Sequence, residues 1–307
     1  MTKIRADMMT GTPKTIKQIK QDIQKIANDD TVNGSVPLFW LSDWLLHVID
    51  KPGFFLITDE NYQLTEDELS RFNVGLHKMQ HGTPLAYLTG QQAFWSLDFK
   101  VNEHTLIPRP DTEVLVEQTL NWIKSQPSND GQKRLLDLGT GSGCIAVSLA
   151  YELQQESMRK TAERWQVVAV DLSAEALKVA EYNAAINNVA DIHFIQSSWY
   201  DGLAVEEPLF DVIVSNPPYI DESDEHLARL VAEPISALSA PNHGLADIEY
   251  IVQQAPSYLH AGGLLVIEHG FDQGAQVRQL FLDNGFASVH TVKDYGDNDR
   301  VTLGQWQ

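Results

Sequence analysis

The chain has 307 residues, 43% of them hydrophobic, enough for a full core in one large domain or two ordinary ones. Lys and Arg total 22 against 42 Asp and Glu, and the resulting net charge of −20 opposes non-specific nucleic-acid binding, whose affinity comes mostly from phosphate contacts. Cys144 is the one cysteine, so an intrachain disulfide is excluded, and neither a signal-like apolar segment nor a membrane-length apolar run occurs; the expectation is a soluble, cytoplasmic protein with no membrane partner.

Residues 1–13 read as a loose tail. Ile16, Ile19, Ile23 and Ile26 recur at spacings of three and four, which predicts a helix over 15–27 with one apolar stripe. A loop over 29–34 and a Leu- and Trp-rich helix over 37–49 follow. Thr65-Glu66-Asp67-Glu68 has the form of a capping box and opens a third helix running to about Gln80. These segments predict a small helical domain, residues 1–90, for which substrate recognition is a natural task. Residues 91–110 change character: short strand-like runs around Phe94 to Val101, broken by Gly and polar turns, predict a β-hairpin linker. Ile107-Pro108-Arg109-Pro110-Asp111-Thr112-Glu113 comes next, with Pro110 near the start of a helix extending to Lys124. Most of this stretch reads as a rigid connector, with Phe94 and Arg109 placed to line one wall of a cleft.

From Arg134 onward, short apolar runs alternate with helical segments. Strands are expected at 135–138, 166–170, 192–195, 211–214 and 264–268. Helices are expected at 144–153, 173–187 (with Ser173 as N-cap), 246–259 and 273–283, and an antiparallel pair at 289–292 and 300–303. Such alternation specifies a doubly wound α/β sheet over 111–307, with ligands at the carboxyl ends of its strands. The first of these strands ends in Asp137-Leu138-Gly139-Thr140-Gly141-Ser142-Gly143. Cys144 stands where a dinucleotide fingerprint has its third glycine, and no Gly-Lys-Ser/Thr follows, which excludes a P-loop. Glycines so spaced let backbone approach a ligand closely, and the helix behind them favours an anionic group. Asp171, ending the next strand, suits the two hydroxyls of a ribose.

The strand over 211–214 delivers Ser215-Asn216-Pro217-Pro218-Tyr219. Two prolines fix φ and remove backbone donors, so the Asn216 amide and neighbouring carbonyls form a stiff set of acceptors. A planar NH2 group fits there, with Tyr219 stacked on it. Acid, glycine loop, second-strand Asp and NPPY in this order look like an S-adenosyl-L-methionine-dependent methyltransferase of the Rossmann-like class I type acting on a conjugated NH2 group. From about Leu64 to the end the chain resembles the release factor glutamine methyltransferases, protein N5-glutamine methyltransferases. The resemblance is closest in Phe94-Trp95-Ser96-Leu97, in Leu106 to Glu113, in Asp137 to Gly143, in Ser215 to Asp221 and in Asp294-Tyr295-Gly296-Asp297-Asn298. NPPY alone also occurs in DNA adenine methyltransferases; joined to the IPRPDTE connector it looks specific to protein-glutamine enzymes.

The resemblance implies a seven-stranded sheet with terminal antiparallel strands. It implies that Gly139, Thr140, Gly141, Ser142 and Gly143 cradle the methionine portion of S-adenosyl-L-methionine, Asp171 the ribose, and that Trp199 lies beside the adenine, with Asn216 touching the cofactor too. Asn216 and the Pro217 carbonyl would accept the two N–H bonds of the substrate glutamine, in a pocket completed by Pro218 and Tyr219, with Phe94 on the opposite side. The implied partner is the GGQ-containing domain of peptide chain release factors. A ribosomal-protein glutamine, a DNA adenine, and a non-catalytic cofactor-binding role are the alternatives. Residues 151–165 look longer than the family's usual turn and read as a surface loop. Val231 stands where relatives often carry Arg, two residues before Glu233-Pro234. His residues are scattered and no ligand set has metal spacing, so no metal is expected. Cys144 reads as packing, although a helix start can lower a thiol pKa. His269 reads as a strand-end residue and is the one histidine with a conceivable direct role.

Overall fold

The computed structural model describes residues 13–27, 36–127, 131–159, 164–189, 191–204 and 208–307. The expected loop over 29–34, and the expected tail apart from Pro13, lie outside the described residues. The chain divides into two compact units, Met1–Gly90 and Gln91–Gln307.

In the first unit α1 (Ile16–Ala27), α2 (Leu38–Ile49) and α4 (Glu66–Gln80) form where periodicity and capping place them. Ile16, Ile19 and Ile23 bury the stripe of α1 against Leu41, Leu45 and Phe72 in one cluster. The capping box on α4 is complete: the Glu68 amide donates to Thr65 Oγ1 at 3.2 Å and the Thr65 amide donates to Glu68 Oε2 at 2.8 Å. Two short helices, α3 (Phe55–Thr58) and α5 (Leu85–Thr89), were not expected. They span about one turn each, too short for an apolar period to register.

The second unit opens with a hairpin, β1 (Gln91–Phe94) and β2 (Leu97–Lys100), paired Phe94 to Leu97. The Trp95 amide at its turn donates to Glu113 Oε1 at 2.7 Å, and the Trp95 indole donates to Glu152 Oε1 at 2.8 Å. Residues 91–110, expected as a β-hairpin linker, carry the hairpin and group with the second unit. A 3-10 turn (Pro110–Thr112) leads into α6 (Glu113–Ser125). The remaining elements are β3 (Gln132–Leu138), α7 (Cys144–Arg159), β4 (Arg164–Asp171), α8 (Ala174–Ile186), β5 (Ile192–Gln196), β6 (Phe210–Ser215), β7 (Ile220–Asp221), β8 (Ser239–Ala240), α9 (Ala246–Gln254), β9 (Leu259–Glu268), α10 (Gly274–Asp283), β10 (Phe286–Lys293) and β11 (Asp299–Trp306).

Among the described residues the main sheet has seven strands, in the order β10-β11-β9-β6-β3-β4-β5. Neighbours from β9 to β5 run parallel, while β11 pairs antiparallel with both β9 and β10. This is the doubly wound, class I methyltransferase-like sheet with a terminal antiparallel pair that the sequence predicts. Successive strand residues point to opposite faces, so Leu135, Val212 and Val214 join one core with Leu115, Val147 and Leu149, while Leu136, Leu138 and Ile213 join another with Ile248, Ile251 and Phe281. Both faces are covered, which is why the parallel strands read as unbroken apolar runs.

Two segments differ from expectation. Of residues 151–165, expected as a surface loop, 151–159 continue α7 to Arg159 and 164–165 open β4, while 160–163 lie outside the described residues. The helix expected over 246–259 stops at Gln254, gives way to a 3-10 turn at Ala255–Ser257, and Leu259 already belongs to β9. Pro256 supplies the break, since it has no amide hydrogen to continue the helical ladder.

Candidate functional site

Leu138 lies beside Val170 on one side and Ser215 on the other, and Ser215 lies beside Ile267. The chain therefore leaves β4, β3, β6 and β9 at one edge of the sheet, and these four loops carry Asp171, the glycine loop, NPPY and Glu268. In a parallel sheet that edge, where the strand order reverses, is where ligands bind.

The glycine loop turns because its glycines take φ values that other residues adopt only at a cost: Gly139 +75°, Gly141 +55° and Gly143 +81°. The Gly139 and Thr140 amides donate to the Val170 carbonyl at 3.0 and 2.9 Å, and the Gly143 amide donates to the Thr140 carbonyl at 2.8 Å. Asp137 Oδ2 accepts from Thr140 Oγ1 at 2.6 Å and from the Ala146 amide at 3.2 Å, tying the loop to the start of α7. Asp171 spans the gap between strands: Oδ2 accepts from the Gly141 amide and Oδ1 from the Ser173 amide, each at 2.8 Å. A carboxylate has lone pairs beyond these two, so shaping the loop does not use up its capacity. Trp199, at φ +48°, packs its ring against Gly139 and donates from its indole nitrogen to Asp247 Oδ1 at 3.3 Å. The Ser142 carbonyl accepts from Asn183 Nδ2 at 2.8 Å. Gly139, Thr140, Gly141, Ser142, Gly143, Asp171 and Trp199 thus stand together.

The fit to a nucleoside with a charged amino-acid tail is testable on the structure itself. Space at the Gly141 Cα is open, and Asp137 Oδ1 is buried with no partner among the described residues. A buried carboxyl oxygen without a partner, beside a loop that is open at Gly141, suits the ammonium end of a zwitterionic ligand.

NPPY is held from several sides. Ser215 Oγ donates to the Leu138 carbonyl at 2.7 Å. Pro217 and Pro218 are buried, whereas Asn216 and Tyr219 are half-buried. Asn216 Nδ2 donates to Thr112 Oγ1 at 3.3 Å, and the Tyr219 hydroxyl donates to Glu268 Oε1 at 3.1 Å. Gln273 Nε2 donates to the Tyr219 carbonyl at 2.9 Å. Gly244, at φ +79°, completes the support: a Cβ there would come 2.0 Å from the Tyr219 carbonyl oxygen. Gly244→Ala is accordingly expected to displace the Tyr219 peptide and reduce turnover more than it reduces cofactor affinity; equal losses of both in a titration would contradict this.

The connector locks onto the excursion after NPPY. Arg109 pairs with Glu233 Oε1, and the Ile107 amide donates to Glu233 Oε2 at 3.0 Å. Arg109, expected to form a cleft wall, is thereby fixed to a segment that also includes Val231, which is 71% exposed. The short parallel pair of β7 and β8 closes the same excursion. Asp294, in the DYGDN stretch, accepts from Arg300 Nε at 3.1 Å and Nη2 at 3.0 Å, and Arg300 lies next to Asp111 of the connector at 3.8 Å.

Phe94, His269 and Cys144 are all buried. Phe94 is 2% exposed and packs edge-on against Phe99 inside the core, so it presents no face to a ligand. His269 is fully buried, with Nδ1 on the Gly270 carbonyl and Nε2 on Thr302 Oγ1, both at 2.8 Å; burial lowers its pKa, and it is a packed strand-end residue. The Cys144 thiol is pushed up to about 12 by burial, which outweighs any pull from the helix start. Thr112, Glu233 and Glu268 escaped the sequence reading. Their roles depend on contacts with residues more than a hundred positions away, or on burial.

Burial raises Asp137 to about 7 and Glu268 to about 7, and raises Asp171 as well. A carboxyl raised on folding keeps its proton in the folded chain where the unfolded chain has released it. Its effect is to reduce stability as pH climbs from the ordinary carboxyl range to the folded value. The free protein is expected to melt several degrees lower at pH 8 than at pH 6, at about 2–4 °C per kcal/mol for a unit of this size. Asp221, lowered to about 2 by hydrogen bonds from Ser223, acts only in more acidic solution. A melting series from pH 6 to 8 that stays flat or rises would contradict this.

A family model for a methyltransferase domain matches residues 129–298. The release factor glutamine methyltransferase of Aliivibrio fischeri is 40% identical over 290 residues, covering 94% of this chain and 96% of that protein. That of Pasteurella multocida is 47% identical over 249 residues, covering 80% and 83%. That of Escherichia coli K12 is 44% identical over 264 residues, covering 85% and 90%.

Proposed function

We propose a function from a firm premise: this chain belongs to the release factor glutamine methyltransferase family. It transfers a methyl group from S-adenosyl-L-methionine to the side-chain amide nitrogen of the glutamine in the GGQ loop of peptide chain release factors. The observation that carries this is the Asn216 carboxamide, tied through Nδ2 to Thr112 on a proline-stiffened loop beside the glycine loop. Its Oδ1 remains to accept a hydrogen bond from an incoming amide.

An amide nitrogen is a weak nucleophile because its lone pair is delocalised. When bound, the cofactor supplies an electrophilic methyl on a sulfonium. What the chain must do is align the nitrogen with that methyl. Gly139 to Gly143, Asp171 and Trp199 hold the donor side. Asn216 Oδ1 and the Pro217 carbonyl accept the two N–H bonds of the glutamine, and Tyr219 packs on its amide plane. Two acceptors on one NH2 also stabilise positive charge developing on nitrogen. The methylated nitrogen then loses a proton readily, so no strong base is needed, which fits a strand-end histidine, His269, that is occupied in packing. Phe94, buried in the core, is not assigned to the substrate. The helical unit is assigned to release-factor docking, and the cytoplasm, where translation ends, is the place of action. Among the described residues no helix is long and apolar enough to cross a membrane.

Incubation with methyl-labelled cofactor and a release factor tests the reading. Label is expected in the release factor and absent when the GGQ glutamine is changed to alanine. Transfer that survives this change, or label entering only a ribosomal protein, would overturn it.

A further inference from the structure

We propose that Gln273 and Glu268, at the two ends of the turn between β9 and α10, are positioning residues: they grip Tyr219 by its carbonyl and its hydroxyl and so set the plane of the ring that packs on the substrate amide. This rests on the glutamine methyltransferase reading above.

A tyrosine ring that serves as a packing surface must not swing. Its plane follows from where its backbone sits and from what holds its far end. Gln273 fixes the backbone. It is 6% exposed, and its carboxamide is used at both ends. Nε2 donates to the Tyr219 carbonyl at 2.9 Å and to the His243 carbonyl at 3.0 Å, while Oε1 accepts from the Gly270 amide at 2.7 Å. The direction of this carboxamide is therefore settled, because a flip would set all three bonds against groups of the same kind. Glu268, 1% exposed, fixes the far end: Oε1 accepts from the Tyr219 hydroxyl at 3.1 Å.

Both holders belong to one short turn. Phe271 and Asp272 at its tip are exposed, and Gln273 folds back inward. The turn is itself anchored from β11. The His269 amide donates to the Arg300 carbonyl at 2.9 Å, Arg300 Nη1 donates to the His269 carbonyl at 3.2 Å, and His269 Nε2 meets Thr302 Oγ1 at 2.8 Å. On the opposite flank Asn242, His243 and Gly244 take φ values of +54°, +55° and +79°. Left-handed backbone at two residues other than glycine carries a cost, and such costs cluster at functional sites. Here the conformation brings the His243 carbonyl to Gln273 and the bare Gly244 Cα up to the Tyr219 carbonyl.

Neither side chain hydrogen-bonds to the glycine loop or to Asp171 among the described residues. Loosening either grip should therefore slow methyl transfer and leave cofactor binding in place.

Methyl transfer to the release factor, with kcat and KM separated, is measured for the intact enzyme and for Gln273→Met, Gln273→Glu, Glu268→Leu and Glu268→Gln. Cofactor affinity is measured by calorimetry alongside. Gln273→Met removes all three bonds at similar volume; Gln273→Glu keeps the acceptor for Gly270 but turns an oxygen towards two carbonyls. Both are expected to lower kcat about 10–100-fold with cofactor affinity within about twofold, since a misplacement of about 1 Å at the reacting centre costs on the order of 100-fold. A side chain that only filled space would be replaced by either without loss. Glu268→Gln keeps an oxygen for the hydroxyl and should recover most of the loss seen in Glu268→Leu. In a Tyr219→Phe background, where the hydroxyl is gone, Glu268→Leu should cost nothing further. The proposal is overturned by wild-type kcat in the Gln273 variants, by cofactor affinity that falls as far as kcat, by a glutamine variant at 268 as impaired as the leucine variant, or by a full added loss in the Tyr219→Phe background. Failure of the unaltered enzyme to methylate the glutamine would instead overturn the parent reading.

Discussion

Replacing Asn216 with alanine is expected to lower kcat/KM for methyl transfer by at least about 100-fold, the scale on which preorganised hydrogen-bonding groups act at reacting atoms. The fold should survive, because the loop does not depend on that side chain. Ser215 is anchored to the Leu138 carbonyl, Pro217 and Pro218 are buried with fixed φ, and Gln273 grips the Tyr219 carbonyl. The substitution removes one half-buried bond to Thr112, worth about 1 kcal/mol. Cofactor affinity should change little, since among the described residues the Asn216 side chain bonds to Thr112 and not to the glycine loop or Asp171. A variant whose melting temperature collapses together with its activity would show that Asn216 shapes the protein and does not align the substrate.

The second large effect is expected at Asp171. Asp171→Ala should weaken cofactor binding on the order of 100-fold, consistent with the loss of one or two charge-assisted hydrogen bonds. Two losses coincide there. The Gly141 and Ser173 amides each lose an acceptor at 2.8 Å, which loosens the loop and the first turn of α8, and the proposed ribose contact disappears. Asp171→Asn keeps one acceptor oxygen and most of the volume, so it should fall between the wild-type and alanine proteins. Calorimetry with the cofactor or its demethylated product decides; alanine and asparagine variants that bind like the wild type would remove Asp171 from the cofactor site.

The elements that sequence made legible are those whose signal is local. The stripe of α1, the capping box at Thr65, the Ser173 cap and the apolar strands under the sheet each declare themselves within a dozen residues. The proposed cofactor half of the site was legible for the same reason: the glycine loop and Asp171 sit at the ends of recognisable strands. The substrate half was legible only in part. Asn216 stands out beside two prolines, but Thr112 looks like an ordinary helix-start residue until Asn216 is seen to reach it. Glu233 pairs with Ile107 and Arg109 across more than 120 residues, and no periodicity encodes such a contact. Phe94 misled because an aromatic residue next to a connector looks the same whether it faces a ligand or fills a core. The extension of α7 misled because Gln, Glu and Ser rich stretches fit a solvated helix as well as a loop.

Cys144 opens a practical route into this protein. The thiol is buried and held in its protonated form, so maleimides and iodoacetamides should leave the native chain unlabelled. A cysteine placed at exposed Ile57 or Tyr295 would then carry a fluorophore or spin label at one defined position, with no native thiol to remove first. Labels at both positions would turn the separation of the two units into a distance readable in solution, with and without a bound release factor.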